Sequence, residues 1–359
     1  MQTDLLDAVY GCLIGAACGD ALGAPVEGMY FREIREKYNR VLTRMLPFDK
    51  GYQGGAGGTV TDDSVLRHYL CLAIVEKNGR ITPDDFAQLW IDDRVNERRL
   101  WRNERGVRYK IRQGMNPWVT GIGSIPVGCG TMMIAPIGII NAGNPRQAYQ
   151  DAFNVASMIV AGHNRDAAAT VAAAQAVAFR PGATVSDVLD GMMEYSADIV
   201  HRALDLALRL ARDSKDVDDF CARYYDSVLM DWKWPQRGFR MEKHFSGDSL
   251  EIITAAAGIL HLCGDDPNTT IIEAANFGRD CDTMGTVAGG IVGALYGAGS
   301  IREDWKEACE SANTDLFEEL EGDVSRNFRS MAERMVTALK GAYENARREL
   351  DVLKAIVGA

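Results

Sequence analysis

Gly11-Cys12-Leu13-Ile14-Gly15-Ala16-Ala17-Cys18-Gly19-Asp20-Ala21-Leu22-Gly23 places glycine at every fourth position, and the same period returns at Gly285, Gly289, Gly293 and Gly297. Residues four apart share nearly one face of a helix, so each run predicts a stripe bare of side chains. An interior glycine costs a helix about 1 kcal/mol relative to alanine. Two such runs therefore need a packing reason. Close approach of backbones supplies one, with the stripes against each other or each against a third helix. Carboxylates flank both runs: Asp20 lies inside the first and Glu27 just beyond it, while Asp280 and Asp282 precede the second. On this reading the carboxylates share one small site.

Residues 284–301 carry no charge over 18 positions, which touches the lower limit for a membrane span. Six of those positions are glycine, and Thr286, Ser300 and the flanking Arg279 and Arg302 lower the hydropathy further. A buried core helix is the expectation. Apolar content of 47% with 25% charged residues fits a soluble globular protein. The net charge of −11 argues against nucleic acid as a partner and suits a protein that collects divalent cations. The opening residues show no basic segment of a secretory signal, and the eight cysteines form no Cys-x-x-Cys or His/Cys zinc spacing. Free thiols in a reducing cytoplasm are the expectation, with no membrane partner.

Helical periodicity dominates. It predicts helices over 5–23, 65–76, 148–161, 166–179, 185–212, 249–263, 270–276, 283–296 and 324–350, with another opened by Thr82-Pro83 and running to Trp90. Asn78-Gly79 reads as a helix stop. No strand–glycine loop–helix unit supports a dinucleotide or P-loop fold. The expected architecture is all-α, a single compact multi-helix orthogonal bundle over 1–359. Three loops stand out: the glycine-rich 51–58, expected to be mobile; 114–130, ending in Gly128-Cys129-Gly130; and 231–247, which carries Trp232 and Trp234. The last is a candidate wall for a leaving-group pocket. Seven arginines between Arg94 and Arg112 are mixed with acids and read as a solvated helix face.

Thr61-Asp62-Asp63-Ser64 opens one apolar helix and Asp280-Cys281-Asp282-Thr283 opens the second glycine helix. A helix cap explains one such residue, not two aspartates and a threonine together. Brought together, Thr61, Asp62, Asp63, Asp280, Asp282 and Thr283 form a set of hard oxygen donors with no His or Cys. That chemistry points to Mg²⁺ or Mn²⁺ rather than zinc. The Asp-x-Asp-Thr order also occurs in aspartyl-nucleophile phosphatases, but there it ends a buried strand, whereas here a helix and turn precede it.

These segments together resemble the ADP-ribosylglycohydrolase family. The matching pieces are 11–28, Thr61 to Ser64, Gly128 to Gly130 with Ala135 to Gly138, Gly162-His163, and 276–283 with its glycine helix. They span about residues 8–300; 301–359 adds helices without a motif. The resemblance implies an all-α hydrolase with a pair of Mg²⁺ or Mn²⁺ ions in a cleft, held by Thr61, Asp62, Asp63, Asp280, Asp282 and Thr283. It implies that Glu27 closes over the site, that Gly128, Cys129 and Gly130 wrap a diphosphate, and that His163 contacts a phosphate. Asp62, Asp63 and Glu27 are the candidate proton acceptors. The chemistry is hydrolysis at the anomeric carbon of a ribose, on an ADP-ribosylated protein or a ribosylated small molecule. Cys129 replaces a usual asparagine, and Met133-Ile134 replaces an arginine-bearing stretch before Ala135-Pro136. Those changes bring in a nucleoside-like riboside as an alternative substrate. A catalytically silent binding protein would show broken acidic motifs, and these are intact.

Overall fold

In the computed structural model, residues 4–51, 53–228 and 247–358 are described. Helices account for nearly all regular structure there. The one sheet among these residues is a two-residue hairpin, Phe48–Asp49 paired antiparallel with Gly54–Gly55. The all-α expectation holds.

The two glycine helices, Leu5–Gly23 and Cys281–Tyr296, are the centre of the molecule, and almost every residue of both is buried. They run antiparallel, backbone on backbone. A Cβ added at Gly11 would meet the Gly293 carbonyl, one at Gly15 the Gly289 carbonyl and one at Gly19 the Gly285 carbonyl, all closer than 3.0 Å. The reciprocal additions on Gly285, Gly289 and Gly293 meet Gly19, Gly15 and Gly11. The stripes therefore face each other, not a third helix. Gly297 serves differently, ending the helix at φ +78°. The charge-free segment 284–301 is thus packed against protein, as is the long apolar N-terminal helix.

Around this pair sit Asp62–Lys77, His163–Ala178, Ser249–Cys263 and Pro267–Ala275, each with a largely buried face. Local chemistry fixes the boundaries. Thr82 caps Pro83–Ile91 reciprocally with Asp85, and Asn78 stops Asp62–Lys77 in the left-handed region at φ +52°. The helix expected over 148–161 runs instead over Pro145–Ala156, with Asn144 capping its start. The span 185–212 is two helices, Val185–Glu194 and Asp198–Arg212. The break is stabilised from outside: Thr170 Oγ1 donates to the Tyr195 carbonyl and the Ala197 N–H donates to Asp166. Tertiary partners for orphan backbone groups override a continuous apolar period. The last helix is Phe328–Val357, starting later and running further than periodicity predicts, and its end presents exposed Leu350, Leu353 and Ile356.

The arginine-rich stretch is solvated on one side only: Arg94 pairs with Glu76, Arg99 with Glu319, Arg112 with Asp93 and the largely buried Arg108 with Asp93 and Glu97, while Asn103, Glu104, Val107 and Ile111 face inward. All eight thiols are free.

The backbone contact gives a sharp expectation. Gly15→Ala has no room and should cost about 3 kcal/mol or more, as overpacking against rigid main chain does. Gly106→Ala, on an exposed helix face with nothing within 4 Å, should instead add about 0.5–1 kcal/mol. Urea unfolding of both variants decides it; equal effects would mean that the stripes are not in contact.

Candidate metal-binding cleft

The register of the glycine helices sets the site. A Cβ on Gly23 would meet the backbone of Asp282, so the end of the first helix lies against the start of the second. Asp20, fully buried one turn earlier, then faces the start of Asp62–Lys77. Its carboxylate accepts from the Thr61 N–H at 3.1 Å, the Ser64 N–H at 3.2 Å and the Ser64 hydroxyl at 2.6 Å. Arg67, also buried, donates to Ser64 Oγ at 2.8 Å. Asp20 thus clamps the turn that presents Asp62 and Asp63.

On the other side, Gly278 and Arg279 both have positive φ, +84° and +62°. For arginine that conformation carries strain. It is held by a buried ion pair to Glu251 and by two backbone hydrogen bonds: Arg279 N–H to the Met29 carbonyl at 2.6 Å and Gly28 N–H to the Arg279 carbonyl at 2.7 Å. That pairing ties the loop of Glu27 to the loop of Asp280.

The acidic segments meet. Thr283 Oγ1 lies 3.0 Å from Asp280 Oδ1 and 3.4 Å from Asp63 Oδ2, and Thr61 caps the helix by accepting from the Asp63 N–H. Glu27, Asp280 and Asp282 bring carboxylate oxygens within 4.8 Å of one another. Glu27, Asp62, Asp63, Asp280, Asp282 and Thr283 line one cleft, with a cavity volume of about 120 Å³. Thr61 sits just behind it.

So many carboxylates in a dry place resist ionisation together. Burial is the main cause in each case. It lifts Asp20 and Asp62 to about 6, with the charge of Asp282 adding to both. Asp63 and Asp280 are pushed well above the usual carboxylate range by burial and then by Asp282. Asp63 Oδ1 is buried with no hydrogen-bond donor. An orphaned carboxyl oxygen among hard oxygen donors suits a divalent cation, and these residues fit one.

Of the residues assigned to the substrate side, Gly128 and Cys129 line the cleft. Gly130 packs on Val160. His163 starts its own helix and its ring contacts Asp248 at 3.3 Å, which raises its pKa. Trp232 and Trp234 lie outside the described residues.

Four side chains take roles that the sequence alone does not assign. Asp20 is visible there only as an acid within its glycine run. Lys50 and Gln53 come from the hairpin: the Lys50 ammonium pairs with Glu27 and reaches Asp282 Oδ2 at 3.2 Å, and the Gln53 amide both donates to Asp62 Oδ1 at 2.8 Å and accepts from its N–H. The glycine-rich segment expected to be mobile is therefore tied to the acidic centre. The fourth is Glu104, fully buried on Arg102–Arg112, with neither oxygen in a well-formed hydrogen bond and the Cys129 thiol opposite. A signal existed: Glu104, Val107 and Ile111 share one helical stripe, which marks an acid on an inward face.

This fold and cleft define an all-α hydrolase with a carboxylate-rich centre. The family model described as ADP-ribosylglycohydrolase matches residues 1–343, and the chain belongs to that family. The family hydrolyses ADP-ribose glycosidic linkages. The chain is 28% identical to an uncharacterized protein of Archaeoglobus fulgidus over 316 residues, covering 86% of this chain and 93% of that one. It is 25% identical to the ADP-ribosyl-[dinitrogen reductase] glycohydrolase of Rhodospirillum rubrum over 307 residues, covering 83% and 89%. Its fold is similar to a solved ADP-ribosylglycohydrolase-related protein complex, with TM-score 0.65, 20% identity and coverage of 94% and 99%.

Glu104 makes the metal-free protein sensitive to pH. Burial, then the charge of Asp62, pushes its carboxyl from 4.5 up to about 7. Between those values the unfolded chain has released the proton while the folded chain keeps it, so the contribution of Glu104 to stability falls as pH rises and levels off above about 7. Glu104→Gln removes that loss. Its stability advantage over wild type should open across this window to on the order of 3 kcal/mol. Denaturant unfolding from pH 5 to 8 measures it, and a gap independent of pH would refute the assignment.

Proposed function

We propose that this protein is a divalent-cation-dependent hydrolase acting at the anomeric carbon of an ADP-ribosyl group. The observation carrying the proposal is the meeting of Asp63, Thr283 and Asp280 beside Glu27 and Asp282 in one cleft. Thr61, Asp62, Asp63, Asp280, Asp282 and Thr283 would hold two Mg²⁺ or Mn²⁺ ions, with Glu27 within reach. When bound, the ions supply positive charge that offsets the carboxylates and polarises sugar hydroxyls and water.

The chain's own residues do the rest. Asp62 is half-buried at the cleft, and the two-point contact with the Gln53 amide fixes its orientation. A carboxylate so held is placed to take the proton of an attacking water, with Asp63 and Glu27 as the other acceptors. Trp101, Val127 and Met132 form the apolar part of the wall and exclude bulk water from the reacting centre.

That wall supports a second substrate reading. Apart from Lys50 on the acidic side, no cationic side chain among the described residues lines the cleft, and Cys129 and Met132 offer a diphosphate no strong hydrogen bond. A nucleoside-like riboside demands less of such a wall than ADP-ribose does.

The test uses protein stripped by chelator and reloaded with Mg²⁺ or Mn²⁺, offered ADP-ribosyl-arginine, ADP-ribosyl-serine and a nucleoside panel. Turnover should require added ion, and Asp62→Asn should lower kcat by about 10²–10⁴-fold with an unchanged melting temperature. Turnover of nucleosides alone would select the second reading. Full activity of the stripped protein would overturn both.

A further inference from the structure

The hairpin Phe48–Asp49/Gly54–Gly55 sends one side chain to each acidic segment. Gln53 engages Asp62, while Lys50 lies between Glu27 and Asp282. The lysine is well placed for this. Its N–H donates to the Gln53 carbonyl at 2.8 Å, closing the turn, and only 21% of its side chain is exposed. Glu27 and Asp282, the two carboxylates it touches, are two of the three whose oxygens gather within 4.8 Å. An ammonium is a compact cation with three donors, and here it sits against two of those three converging carboxylates. Asp63 Oδ1, by contrast, has no donor at all. The centre thus has one position met by an internal cation and one that is not.

We propose that Lys50 is a resident counter-ion that competes with divalent metal for the position between Glu27 and Asp282. The first ion enters at the Asp63 side without opposition. The second must displace the Lys50 ammonium, and with it the turn of the hairpin. Metal uptake is therefore stepwise, and the second ion binds more weakly than the acidic donors alone would dictate. The displaced lysine moves into solvent at the mouth of the cleft. This rests on the metal-dependent reading above.

The test is binding of MnCl₂ alone, by calorimetry and by electron paramagnetic resonance, to wild type, Lys50→Met, Lys50→Gln and Lys50→Arg, each checked for an unchanged melting temperature. Removing the charge in Lys50→Met and Lys50→Gln should tighten the weaker Mn²⁺ ion at least tenfold, so that the spin-coupled spectrum of an ion pair develops at lower Mn²⁺ concentration. Lys50→Arg keeps a cation, though a larger one, and should tighten the weaker ion less than Lys50→Met or Lys50→Gln does. In the wild type, Mn²⁺ should also speed tryptic cleavage after Lys50, since displacement frees that side chain. Equal Mn²⁺ affinities in all four proteins, or slower cleavage at Lys50 on adding Mn²⁺, would overturn the proposal while leaving the metal-dependent reading standing. Mn²⁺ uptake by none of them would overturn both.

Discussion

The contact on which this structure depends is main chain against main chain, where Leu5–Gly23 crosses Cys281–Tyr296 without intervening side chains. Dispersion attraction over such a surface grows as the backbones approach, and glycine is the residue that permits the approach. The contact also fixes register. With Gly19 on Gly285 and Gly23 on Asp282, the chain's two distant acidic segments have one relative position. Asp20 then couples a third segment to this pair through the Thr61 and Ser64 amides. Geometry that serves chemistry is thus set by packing first.

Electrostatics works against that packing. Burial drives the carboxylates toward the protonated state and their mutual repulsion adds to it. Two devices offset that repulsion: the Lys50 ammonium, and hydroxyl and amide donors from Ser64, Thr283 and Gln53. The buried Arg279–Glu251 pair is of a different kind. It holds a backbone in the left-handed region so that Asp280 can leave the turn toward the cleft.

Much of this was legible in the residues. The four-residue glycine period announced a close helix contact, and the doubled aspartates at helix starts announced a site. What periodicity does not encode is which face meets which, and the facing of the two stripes emerged only in three dimensions. The break at Tyr195 was hidden because its partners, Thr170 and Asp166, lie on another helix. Lys50 and Gln53 were hidden for a related reason: their targets depend on a short hairpin in a glycine-rich segment with no apolar alternation to reveal it. Glu104 was visible in principle, on an apolar stripe, but the surrounding arginines suggested a wholly solvated face.

The glycine contact also has a consequence for how such an enzyme can diversify. The acidic segments are carried on a seam of polypeptide backbone, so point mutation cannot move that seam without prising the helices apart. A single-residue insertion in either helix would rotate every following glycine off the seam by about 100°. On the proposed function, new substrates would be accommodated by the side chains of the wall, Trp101, Cys129 and Met132, while the acidic segments keep their relative positions. Such a molecule is free to vary in what it grips and constrained in how it cuts.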